Sequence, residues 1–139
     1  MPSASVAGSS IEQTIQNWLQ SLPAVTSLVP ESQWLTGDQQ SDSPVFPYVV
    51  ITSEPAEPPR HTSNARLDDD AVTMSGYFRQ FEDGKAWMEF VKTTFDRSAF
   101  TGDTITVRQS RYESSIYEQQ NDGEWLFDIV FRMKYQRDA

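Results

Sequence analysis

The sequence contains no cysteine, which excludes disulfide staples, thiolate nucleophiles and cysteine-ligated zinc, and leaves the redox compartment open. It has a single histidine, His61, set between Arg60 and Thr62 in a proline-rich stretch. A general base needs a nucleophile and an orienting partner, and no Ser-centred elbow motif accompanies it, so His61 reads as an exposed loop residue. Cations are also scarce. Eleven Lys and Arg stand against twenty Asp and Glu, giving a formal charge of −9 with no basic block. Tight, non-specific attraction to phosphate backbones or anionic lipid is therefore not expected. The six glycines, at 8, 37, 76, 84, 102 and 123, are scattered singly, so no phosphate-cradling loop exists. No run approaches the roughly 20 apolar residues of a membrane span, and Met1 to Ser9 has neither a basic leader nor an apolar core. The expectation is a soluble, intracellularly made protein.

What is present is aromatic. Four Trp, eight Phe and five Tyr in 139 residues supply much of the burial a folded chain needs, at about 150–250 Å² each. Residues 1–9 are small and polar and are expected to form a flexible tail, followed by a single α+β domain over 10–139.

Ile11, Ile15, Trp18, Leu19 and Leu22 form one apolar stripe at helical spacing, opened by the capping-box pair Ser10 and Gln13 and stopped by Pro23. A short second helix is compatible with 23–29, and residues 30–47 read as irregular chain pinned by Trp34. Tyr48 to Thr52 is a β-branched strand, with Pro47 at its start. Glu54 to Arg66 then holds three prolines in thirteen residues and reads as a long loop or hairpin arm, uncommon in a compact domain unless it has a partner.

Ala71 to Arg79 alternates with period two, placing Val72, Met74, Gly76 and Phe78 on one face. Trp87, Phe90, Val91, Thr94 and Phe95 recur at helical spacing over 85–95, with Asp83 as the expected N-cap. Thr104 to Gln109 is strand-like. Trp125, Phe127, Ile129, Phe131, Met133 and Tyr135 alternate strictly after the turn Asn121-Asp122-Gly123, and Ser115 to Gln119 is the expected upstream partner. The pattern predicts an α+β fold: a mostly antiparallel sheet of about four strands with two main helices on one face.

Catalytic chemistry is hard to find. Asp68-Asp69-Asp70 is the sharpest charge run, but no EF-hand or two-metal spacing surrounds it, and on a strand Asp69 points away from its neighbours. It reads as a solvated strand entry or a partner-facing acidic patch, not a metal site. Arg108, Arg111 and Tyr112 interleave charge with an aromatic group, yet the net charge argues against a nucleic-acid platform. Carboxylate pairs such as Glu54/Glu57 and Glu82/Asp83 lie in polar segments where raising a pKa is hard to arrange. Tyr48, Tyr77 and Arg79 are the loose candidates for a small-ligand cavity. No catalytic residue, metal ligand or cofactor is assigned.

In order along the chain, the first amphipathic helix, the Pro-Ala-Val-Thr-Ser-Leu-Val segment, the Pro47-to-Ile51 strand, the long excursion, the strand running into an aromatic-rich helix (Val72 to Phe95) and the closing alternating strand resemble the tail-completion or tail-terminator proteins of long-tailed bacteriophages. The resemblance covers most of residues 10–135 and carries no invariant chemical signature. It implies a non-enzymatic structural protein that forms a ring, commonly a hexamer, at the head-proximal end of the tail tube. Such a ring stops tube growth and meets the head connector. The partners implied are other copies of the chain, the tail tube protein and the head connector or stopper, in the virion, with DNA passing through and no membrane. On this reading Glu54, Glu57, Arg60, His61 and Arg66 belong to an intersubunit or tube contact, so excising Pro55 to Asn64 should give a folded monomer. Six copies at −9 each would carry about −54, and Asp68, Asp69 and Asp70 are then candidates for a channel-facing acidic patch that repels DNA. A stopper or adaptor ring, and a small-ligand-binding α+β domain, are the alternatives.

Overall fold

A computed structural model describes residues 10–19, 22–36, 45–61, 65–102 and 104–138. The expected tail at 1–9, the centre of the irregular stretch at 37–44 and residues 62–64 lie outside them. The elements in chain order are α1 (Ile11–Trp18), α2 (Pro23–Thr26), a 3-10 turn (Glu31–Gln33), β1 (Trp34–Thr36), β2 (Tyr48–His61), β3 (Ala65–Phe78), α3 (Phe81–Phe95), β4 (Phe100–Thr101), β5 (Ile105–Gln119) and β6 (Trp125–Asp138).

The α+β class stands, but the sheet has six strands where about four were expected, in the order β1-β2-β3-β6-β5-β4. It is mixed, because β1 runs parallel to β2 while the other pairs are antiparallel. Three of its strands are fourteen residues long and a fourth is fifteen. The excursion after Thr52 is therefore a hairpin arm, one of its two expected forms, and not a loop. It is the continuation of β2 and the beginning of β3, paired from Tyr48↔Tyr77 to His61↔Arg66.

Proline enters this hairpin for a physical reason. β1 covers β2 only at Val49 to Ile51, so among the described residues β2 is an open edge from Thr52 onward, where a missing N–H costs the sheet no outward bond. The register slips between Pro55 and Glu57 and again between Glu57 and Arg60, which places Pro58 and Pro59 in the second irregularity.

Both main helices lie on the same sheet face. α1 contributes Ile11, Ile15 and Leu19, and α3 contributes Trp87, Met88, Val91 and Phe95, to one core with Val49, Ile51, Val72, Met74, Phe127, Ile129, Phe131 and Met133. The alternation along β6 is as expected, every second residue from Phe127 to Tyr135 being buried. Trp18 stacks on Phe100 at 4.1 Å and meets Phe95 edge-on at 5.2 Å, which joins α1 to the chain after α3. Gly84 is required by packing: a Cβ there would fall inside the Phe127 ring. At Gly76 a Cβ would lie 2.7 Å from Trp87.

Four local expectations are corrected. Ser10 caps α1 as expected, its Oγ accepting from the Gln13 N–H at 3.0 Å, but the α-helix ends at Trp18. α3 begins at Phe81 with Gln80 at the N-cap and no side-chain capping bond, so Glu82 and Asp83 sit in its first turn, favourably placed for the helix dipole. Phe90 is 45% exposed, and Gly84 and Met88 take the buried positions instead. Trp34 does more than pin irregular chain: it opens β1, is fully buried, and donates from its indole N–H to the Val29 carbonyl at 3.0 Å.

Candidate interaction surface

The face of the sheet turned away from the helices carries the chemistry. Its side chains are Tyr48, Val50, Thr52 and Glu54 from β2, Asp69, Ala71, Thr73, Ser75 and Tyr77 from β3, the even-numbered residues Leu126 to Lys134 from β6, and Gln109, Arg111, Ser114 and Ile116 from β5. Near one end Tyr48 stacks on Tyr77 at 4.6 Å, and Arg79 sits 4.4 Å over the Phe46 ring. Burial raises the pKa of both tyrosines, helped by their neighbouring charges. The three loose candidates for a ligand cavity are thus engaged with aromatic neighbours, and none of them lines the main hollow.

That hollow, of about 530 Å³, lies at the other end of the face and includes Glu57, Pro58, Arg60, Leu67, Asp69, Arg108 and Lys134 in its lining. Of the residues assigned to a partner contact, Glu57 and Arg60 come together here. Glu54 and His61 are exposed on β2 to either side of them, and Arg66 turns to the opposite face, where its Nε donates to both carboxylate oxygens of Asp68 at 3.0 and 3.1 Å.

β3 divides the acidic run between the two faces, as alternation requires. Asp69 is on the open face, held by Arg132 through bonds of 2.8 and 3.2 Å. Arg132 also reaches Glu57 at 3.4 Å and Glu113 at 3.7 Å, so one guanidinium ties β2, β3 and β5 to its own strand, β6. Asp68 and Asp70 continue the helix-side face and are only 6% and 8% exposed. Asp68 is bracketed by Arg66 and Arg137. Asp70 accepts a 2.6 Å hydrogen bond from the Tyr135 hydroxyl. Burial raises the Asp70 pKa; the Tyr135 bond opposes this, and the charges of Asp68 and Glu12 add to it. Burial and the bond to Asp70 likewise push Tyr135 well above the ordinary phenol value. All three carboxylates therefore have partners inside the subunit, and Asp69 alone looks onto the open face.

The partners Tyr135, Arg132 and Arg137 lie more than sixty residues from the run, so nothing local in the sequence pointed to them. The β2–β3 hairpin is likewise bound into the sheet. β3 pairs with β6 along its whole length, from Ala65↔Asp138 to Phe78↔Trp125.

Among the described residues no three of His, Asp and Glu are grouped so as to hold a metal ion, and no helix is long and apolar enough to cross a membrane. No protein-family model matches the chain, and no curated protein matches it. Among solved structures, the chain superposes on one from the virion of a native gene transfer agent particle, with a TM-score of 0.74. Identity is 12%, and the match covers 94% of this chain and 97% of that one. At that identity the likeness is one of fold.

Proposed function

We propose that the chain is a non-enzymatic structural protein of a phage or phage-like virion, which closes into a ring at the head-proximal end of the tail tube, ends tube growth and joins the tail to the head connector. The observation that carries this reading is the fold shared, almost end to end, with a chain of a gene transfer agent virion. The order of elements that resembles tail terminators supports the finer assignment, including the hexamer and the partners named above. The large open face of the sheet fits a subunit built to meet other subunits, since a heterologous ring interface needs two different patches on each copy.

The acidic balance fits a channel through which DNA passes without adhering; with Asp68 and Asp70 buried and Asp69 held by Arg132, that charge would come from carboxylates outside the run.

The test is electron microscopy and light scattering of the purified protein, alone and with tail tubes. A terminator forms rings, caps tubes and fixes their length. Binding to the portal side with no effect on tubes would favour a stopper or adaptor. A protein that stays a single subunit and ignores both would refute the proposal.

A further inference from the structure

Most unpaired charges among the described residues are sorted to opposite ends; exceptions include Arg79, near Glu124, and Asp96, whose carboxylate accepts from the Tyr112 N–H. Lys85 and Lys92 pair with Glu89, Arg66 and Arg137 with Asp68, and Arg132 with Glu57, Asp69 and Glu113. The remaining cations, Arg60, Arg79, Arg97, Arg108, Arg111 and Lys134, have no carboxylate at ion-pair distance among the described residues. All of these except Arg79 line three adjoining hollows that share Gln109. In a chain of charge −9 this is a pronounced concentration.

Arg97 adds an independent sign. Its φ is +62°, the left-handed conformation after a helix that glycine adopts at lower cost. Its N–H bonds the Ser110 carbonyl on β5 at 2.6 Å, which fixes it beside Arg108 and Arg111.

At the far end of β5 the sign reverses. Phe81 contacts Tyr117 at 5.3 Å and Trp125 at 5.0 Å, which brings the first turn of α3 to the β5–β6 turn. Glu82, Asp83, Glu118, Asp122 and Glu124 gather there, and none has a cation at ion-pair distance among the described residues. Ile116, 64% exposed, protrudes there on the open face, while Tyr117 turns to the helix side beneath Lys85. An exposed apolar side chain rimmed by charge fits the anatomy of an interface. Leu67 and Pro58 offer an apolar counterpart within the cationic trough.

Resting on the ring reading, we infer that this acidic end of one copy docks into the cationic trough of the next, so that the two patches form the heterologous contact of the ring. The occupant is a second copy because the chain itself carries both halves, complementary in charge and in apolar area. Their placement at opposite ends of the sheet prevents one copy from satisfying itself.

The test uses full-length protein in two forms, Arg108→Glu with Arg111→Glu, and Glu118→Lys with Asp122→Lys, all at exposed positions. Each form alone should self-associate at least tenfold more weakly than wild type, in light scattering and sedimentation, and an equimolar mixture should recover heterologous pairing. Wild-type association should weaken as salt rises. Arg97→Gly should raise the thermal midpoint yet weaken association, which a purely structural residue would not do. Unimpaired rings from both double variants would overturn the docking while leaving the ring reading intact. A wild type that never associates, alone or with tail tubes, would overturn both. Salt-sensitive retention of duplex DNA, lost in the Arg108/Arg111 form while self-association is unchanged, would reassign the trough to nucleic acid.

Discussion

The Tyr135 hydroxyl donates to the Asp70 carboxylate at 2.6 Å, across the pairing of β3 with β6. Because burial lifts the folded-state pKa of Asp70 above its unfolded value, the folded state binds this proton more tightly. The ionised carboxylate therefore costs stability at neutral pH, and the cost is relieved as pH falls through the folded pKa. Asp70→Asn, which keeps an acceptor for Tyr135, should raise the thermal midpoint at pH 7 by a few degrees, on the order of 1 kcal/mol. The advantage should shrink towards pH 4. Tyr135→Phe should do the reverse, lowering stability at pH 7 by about 1–3 kcal/mol by leaving a buried carboxylate without its donor. Thermal melts between pH 4 and 8 measure both.

Gly84→Ala should destabilise the fold by about 1–3 kcal/mol, although alanine is the better helix former, because the added methyl meets the Phe127 ring. Urea unfolding should show a lower midpoint with an unchanged slope. An unaffected midpoint would mean that α3 can move away from β6 at little cost.

Trp34→Phe should cost about 1–3 kcal/mol, since it removes the donor to the Val29 carbonyl in a buried site. Trp34→Ala should cost about 3–5 kcal/mol, because it also empties the space against Trp87, whose ring centre is 6.0 Å away. Chemical denaturation of the two variants separates the bond from the volume.

Excision of Pro55 to Asn64 should unfold part of the sheet, contrary to the simple expectation of an intact monomer. Glu54 pairs with Ala71, whereas Ala65 pairs with Asp138 six residues away along β3, a distance of about 20 Å. A single peptide link, about 3.8 Å between Cα atoms, cannot close it, so Ala65 to Asp70 would have to leave β6. Near-ultraviolet circular dichroism and the thermal midpoint of the deletion should both fall. A deletion with the parent's melting behaviour would show that β3 pairs more weakly there than its register implies.

Much of this architecture was legible where one residue reports on its near neighbours. The alternation from Trp125 to Tyr135, the Ser10 cap and the Asn121-Asp122-Gly123 turn depend on spacing within a strand, a helix start or a hairpin, and all occur in the folded chain. β1 escaped notice because three residues carry no period, and its existence depends on lying beside Val49 to Ile51. The arm of β2 was hidden by its prolines, which signal a break unless one knows that the strand has lost its outer neighbour. At Phe90, helical spacing identified a stripe but not which edge of it meets the sheet. The surface was harder still. A run of three aspartates says nothing of Tyr135, Arg132 and Arg137, and the sorting of unpaired charge becomes visible only once every ion pair is known.

The proline-bearing border of β2 has a consequence for how copies can meet. A strand with gaps in its row of amide hydrogens is a poor template for a further strand, so this border resists growth by backbone addition and the endless stacking that leads to fibres. A copy meeting this border would have to bind through side chains, whose attachments salt or dilution can undo.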